Sequence, residues 1–143
     1  MGNSMKKKLD IAVIVSRING KYEFDFKVDG HVDKDGNVTV KSAKKEAVTL
    51  EFSVEKGKDV ADVEFHGSAA DSIVVGDEGV ENCPPTAGNE FDEHEHDGKN
   101  RKKVKVTDKK TRDGYFKYAL WFNVTRNDGA VDIECCDPMI INN

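Results

Sequence analysis

Hydrophobic and polar residues alternate along most of the chain with the period of two that a half-buried strand requires. The clearest case is Tyr115–Val124, where Phe116, Tyr118, Leu120, Phe122 and Val124 form one set, and Tyr115, Lys117, Ala119, Trp121 and Asn123 form the other. Asn127-Asp128-Gly129 reads as a turn. Beyond it Val131, Ile133 and Cys135 continue the inward set, while Asp132 and Glu134 take the other side, which predicts a long C-terminal hairpin. Near the start, Ile11, Val13 and Val15 lead to Asn19-Gly20, a pair suited to a type I′ turn. Tyr22, Phe24, Phe26 and Val28 then alternate with Glu23, Asp25 and Lys27. Val38–Val40 is a short strand candidate, Val48, Leu50, Phe52 and Val54 make a longer one, and Val63-Glu64-Phe65 and Ser72–Val75 add two more. No segment carries apolar residues at three- and four-residue spacing over two helical turns; Lys44–Val48 supports one turn at most.

From Gly76 to Gly114 the pattern loosens. Pro84-Pro85 excludes a central strand, since neither proline can donate to a ladder. Glu90–Asp97 holds five acidic residues and two histidines, and Lys99–Arg112 holds eight basic residues around the short candidate Val104–Val106. These opposed blocks either pair across a surface or, as the simpler reading, are two solvated flanks of a long loop. Eight or nine strands of this kind predict an all-β fold, an antiparallel two-sheet β-sandwich. The expected organisation is a flexible N-terminal segment over residues 1–8 and one domain over 9–143 with its long loop region at 76–114.

The length of 143 residues suits one domain able to bury roughly two thirds of its unfolded surface. With 37% hydrophobic and 34% charged residues the composition is that of a polar globular protein. A net charge of −5 argues against a general nucleic-acid binder, and the basic run Lys99–Arg112 lacks the interleaved aromatics of a single-strand platform. Three cysteines, Cys83, Cys135 and Cys136, are too few for a secreted disulfide framework. No run approaches the ~18 apolar residues of a membrane span, Ile11–Val15 is too short for a signal-peptide core, and Lys6 stands where a myristoylation motif has Ser or Thr. A cytoplasmic location with no membrane partner is the expectation.

The strand lengths, the Cys83-Pro84 loop and the final aromatic hairpin running into Asp137-Pro138-Met139-Ile140-Ile141 resemble small bacterial cupredoxin-like or immunoglobulin-like β-sandwich proteins. The resemblance implies the two-sheet fold and brings no settled function. Blue-copper proteins carry Cys, His and Met in one C-terminal loop plus an upstream His. Here Cys135, Cys136 and Met139 have comparable spacing, yet no histidine follows His96, so that set is one ligand short unless His94 or His96 crosses over.

Four other groups invite chemistry. In Asp92-Glu93-His94-Glu95-His96-Asp97, an extended chain puts both imidazoles on one side. His94 and His96 with Asp92 or Asp97 would suit zinc, copper or nickel, in a redox or hydrolytic role. His31–Gly36 resembles the front half of a calcium loop, but His31 takes the first ligand position and Ser42 stands where a bidentate Glu belongs, so a hairpin connection explains it more simply. Cys136 could reach Cys83 to form a disulfide, while Cys135 reads as core. Tyr115 and Trp121, on the nominal outer face of the last hairpin, suit stacking on a sugar ring or packing against another subunit. No catalytic residue emerges, because neither the cysteines nor Asp71-Ser72 has a base and an orienting group beside it in sequence. The leading expectation is a non-enzymatic binding or protein-interaction module, self-associating through a sheet edge or the Trp121 face. The alternative is a metal-binding protein using the His94/His96 loop.

Overall fold

The computed structural model describes residues 7–43, 45–76, 90–97, 100–136 and 138–143. Strands β1 (Lys7–Ile18) and β2 (Lys21–Phe26) form the first hairpin, and Asn19 and Gly20 take φ values of 53° and 77°, the left-handed pair that a type I′ turn needs. The chain continues through β3 (Val38–Val40), β4 (Val48–Lys56), β5 (Asp62–Phe65), one helical turn α1 (Ala69–Ser72) and β6 (Ile73–Val75). It then forms β7 (Phe91–Asp97), β8 (Asn100–Asp108), β9 (Gly114–Thr125), β10 (Val131–Cys136) and β11 (Met139–Asn142).

Two sheets result. The first has the order β2-β1-β4-β8-β7. The second is built on β9, which pairs along one edge with β5 and β6 and along the other with β10 and β11; β3 lies beyond β11. The fold is therefore all-β and two-layered, but the sheets are mixed, with β1 parallel to β4 and β3 parallel to β11. Parallel neighbours need a crossover. Here β3, in the opposite sheet, supplies it: the chain leaves the β1–β2 hairpin, crosses to β3 and returns to run alongside β1 in the same direction. Alternation along one strand reports its faces and carries no information about its partner's direction.

Three further differences concern boundaries. The described residues form eleven strands where eight or nine were expected. Lys7 and Lys8 belong to β1, in register with Val48 and Thr49, so the domain begins inside the segment expected to be free. The region 76–114, expected as loop, contains the β7–β8 hairpin, and its acidic and basic blocks pair across the ladder. Glu95 opposes Lys105, and Asp92 lies 3.6 Å from Lys109. The short candidate Val104–Val106 lies within β8, both residues fully buried, and charge on the outward positions hid only that strand's length and its β7 partner.

The core is the space between the sheets. Ile11, Val13, Val15, Leu50, Phe52, Val104 and Val106 meet Val63, Phe65, Phe116, Tyr118, Leu120, Phe122 and Val124, all at most 1% exposed. Ring contacts cross the gap at Phe52–Tyr118 (5.3 Å) and Phe24–Phe122 (5.8 Å). Tyr118 also carries a hydroxyl into this apolar layer, and the hydroxyl donates to the Gly36 carbonyl at 2.5 Å. Outside the first sheet, Glu51 sits among Lys8, Lys103 and Lys105 at 3.3–3.8 Å, so this outer face is charged. Because Tyr118→Phe leaves the buried Gly36 carbonyl unpaired, it is expected to cost about 1–3 kcal/mol of unfolding free energy in urea titrations; an unchanged midpoint would contradict this role.

Candidate interaction surface

The register between β9 and β10 determines what the second sheet shows to solvent. Arg126 N–H donates to the Ala130 carbonyl at 2.8 Å, and Gly129, at φ 91°, closes the turn. The first pair beyond it is Thr125 with Val131, followed by Asn123 with Ile133 and Trp121 with Cys135. Directly opposed residues share a face, and Phe122 and Val124 point into the core. Val131, Ile133 and Cys135 therefore lie outward with Trp121, while Asp132, Glu134 and Cys136 lie on the inner side. The sequence expectation is reversed, because the turn sets the register, and a shift of one residue exchanges the faces.

The inner side of β10 lies at the margin of the sandwich. Cys136 packs against the core, and Asp132 accepts a hydrogen bond from the Tyr22 hydroxyl of β2 at 2.5 Å. Arg126 Nε is 3.5 Å from Asp132 and 3.6 Å from Asp128, and the Arg17 guanidinium lies 5.9 Å from the Tyr22 ring centre. Burial first, and then Asp132, pushes the Tyr22 phenol up to about 12. This network joins the edge strands of the two sheets. Beside it lies a cleft of about 310 Å³ lined by Phe24, Phe26, Lys34 and Cys136 among others.

The outer side carries exposed apolar side chains among polar Lys117, Asn123, Thr125, Asp62 and Glu64. Among the described residues five large hydrophobics are exposed, and three of them, Tyr115 (60%), Val131 (59%) and Ile133 (53%), are on this one face. Part-buried Trp121, Cys135, Met139 and Ile141 share the face by register, and Val74 lies opposite Ala119. Lys117 occupies the face near one end of β9, and Glu64 near the other, opposite Asn123. Tyr115 and Trp121, both expected here, are on the same face but six residues apart along one strand, about 20 Å. That separation is too large for a single sugar ring and suits an extended surface.

The histidine strand is arranged differently from its expected metal loop. Asp92 opposes Thr107, Glu95 opposes Lys105, and Glu93 and His94 together face Val106 alone, which marks a bulge. His96 opposes inward-facing Val104, and its Nε2 is 3.0 Å from Ser72 Oγ. Ser72 is fully buried and is also within donating distance of the His66 and Ser68 carbonyls, at 2.8 and 2.9 Å. Whichever partner takes the hydroxyl proton, the contact ties α1 to β7 and sets a serine hydroxyl beside an imidazole. Sequence spacing gives no hint of this pair, because Ser72 and His96 meet only through the fold.

His66 Nδ1 is 2.7 Å from Asn123 Oδ1, a structural contact on the second sheet. Among the described residues no three His, Cys, Asp or Glu side chains converge as metal ligands. The Asp97 side chain lies outside them. So does Cys83, and with it the Cys83–Cys136 pairing. In the calcium-like segment, Asp33 Oδ1 accepts from Asp35 N–H and Asn37 N–H at 2.9 Å each, and Gly36 turns at φ 85°, the geometry of a tight connection.

No helix among the described residues is long and apolar enough to cross a membrane. Neither a protein-family model nor a curated protein sequence matches the chain.

Burial lowers the pKa of both His94 and His96 below the ordinary 6.5; Asp92 opposes the shift at His94, whereas at His96 Arg101 adds to it and Glu64 opposes it. Such a base binds fewer protons folded than unfolded, so its contribution to stability is complete above the ordinary value and declines as pH falls. His94→Gln/His96→Gln is therefore expected to flatten the fall in melting temperature between about pH 7 and about pH 5. Equal slopes in the variant and the parent protein would contradict this.

Proposed function

We propose that the protein is a non-enzymatic interaction module that self-associates through the outer face of its second sheet. The observation that carries this reading is the contrast between the two outer faces. The first sheet covers its outer face with Glu51 and its lysines, whereas the second presents Tyr115, Val131 and Ile133 to solvent. Large apolar side chains exposed together on one sheet face characterise association sites more than free monomer surface.

Two features favour a second copy as the occupant. A twofold contact brings the same patch against itself, and with two β9 strands crossing at Leu120 the Ile133 of one copy would lie over Met139 of the other. With the two β9 strands antiparallel across the contact, Lys117 of one copy lies toward Glu64 of the other at both ends, which makes the face self-complementary in charge. Pairing edge to edge is less favourable, because two β10 strands centred on Ile133 would oppose Asp132 to Glu134, and inward charges of this kind protect an edge.

Light scattering coupled to size exclusion is expected to show a dimer whose fraction rises with concentration. Val131→Lys/Ile133→Lys, at two exposed positions, is expected to give a monomer with a similar melting temperature. A parent protein that stays monomeric at millimolar concentration would overturn the reading, as would a double variant that dimerises equally well.

A further inference from the structure

At the end of the sandwich where β8 stops and β11 ends, four polar side chains are almost wholly enclosed: Glu90, Asp108, Lys110 and Asn142, each at most 2% exposed. Two of them have partners that account for their charge. Glu90 accepts from Thr111 Oγ1 with one carboxylate oxygen and from Arg112 N–H at 2.8 Å with the other. Lys110 Nζ donates to the Asn143 carbonyl at 2.7 Å and lies 3.4 Å from Asp113.

Asp108 and Asn142 are different. Asp108 Oδ1 accepts twice, from Lys110 N–H and from Asn142 Nδ2, both at 3.0 Å. Asn142 Nδ2 also donates to the Arg112 carbonyl at 3.1 Å, which fixes the orientation of its amide. Asp108 Oδ2 and Asn142 Oδ1 remain, both buried and both without a hydrogen-bond partner among the described residues. Two acceptors left on side chains already joined by one hydrogen bond are what a missing donor leaves behind, and one proton would serve both.

We propose that Asp108 and Asn142 form a proton-dependent clasp between the two sheets, in which Asp108 Oδ2–H donates to Asn142 Oδ1. The charged form has no such donor and leaves both enclosed oxygens unpaired. The surrounding groups bear on Asp108 in both directions. Glu90, ahead of β7, favours the proton and Lys110 opposes it. Lys109, Arg112 and Asp113 complete the charged groups of the β8–β9 connection, while β4 and β11 contribute neutral Val48 and Asn142. Burial is the largest influence and pushes the Asp108 carboxyl up to about 6. Since the folded value is raised, the clasp's contribution to stability is complete below the ordinary carboxylate value and is lost as pH rises through about 6.

Carbon-13 NMR of the Asp108 carboxyl in the full chain reads the proton directly, with an expected midpoint near 6. A midpoint at the ordinary 3.8 or below would overturn the proposal. Asp108→Asn supplies a permanent donor, so its melting temperature relative to the parent protein is expected to rise between about pH 5 and about pH 7.5. A difference independent of pH would overturn the proposal. So would calcium or magnesium chloride raising the parent's melting temperature at neutral pH but not the variant's, because a cation would then fill the place assigned to the proton.

Discussion

The structure depends on burying one face of β9. Phe116, Tyr118, Leu120, Phe122 and Val124 are at most 1% exposed, and each strand of the second sheet except β3 is hydrogen-bonded to β9 itself. Phe122 alone lies against Phe24 of the first sheet and Phe65 of its own. With about 25 cal/mol for each Å² of apolar surface removed from water, such a layer dominates the folding energetics, while the opposite face of the same strand carries exposed Tyr115 and part-buried Trp121. The face proposed for self-association is the other side of the strand that makes the core.

The parts legible in the sequence are those with a local cause. Asn19-Gly20 can take the backbone angles of its turn, and the β9 alternation is long enough to identify both faces. Of the β7–β8 hairpin only the centre of β8 was legible, because its outward positions are charged and Val104 and Val106 alone mark the inward face of β8. The parity of β10 escaped for another reason: Val131 and Ile133 look like core residues, and only the length of the turn from Arg126 to Ala130 places them outside. The mixed direction of the sheets and the Ser72–His96 contact depend on pairings between distant segments, which no local pattern encodes.

The same distinction applies to the candidate sites. Tyr115 and Trp121 were identifiable from alternation, and the structure adds Val131 and Ile133 to their face. His94 and His96 stand out in the sequence because of composition. In the fold His96 faces Ser72 and Asp92 faces Lys109, so these neighbours in sequence have different partners. Asp108 and Asn142 have no motif at all; they acquire meaning only where β8 and β11 converge.

The central claim is that the outer face of β9 and β10 is where a second copy docks. Amide chemical shifts recorded across a dilution series test it residue by residue. The account predicts concentration-dependent shifts at Ala119, Trp121, Asn123 and Ile133, with none at Ser53, Lys103 and Lys105 on the outer face of the first sheet. Shifts confined to the first sheet, or spectra unchanged by dilution, would contradict it.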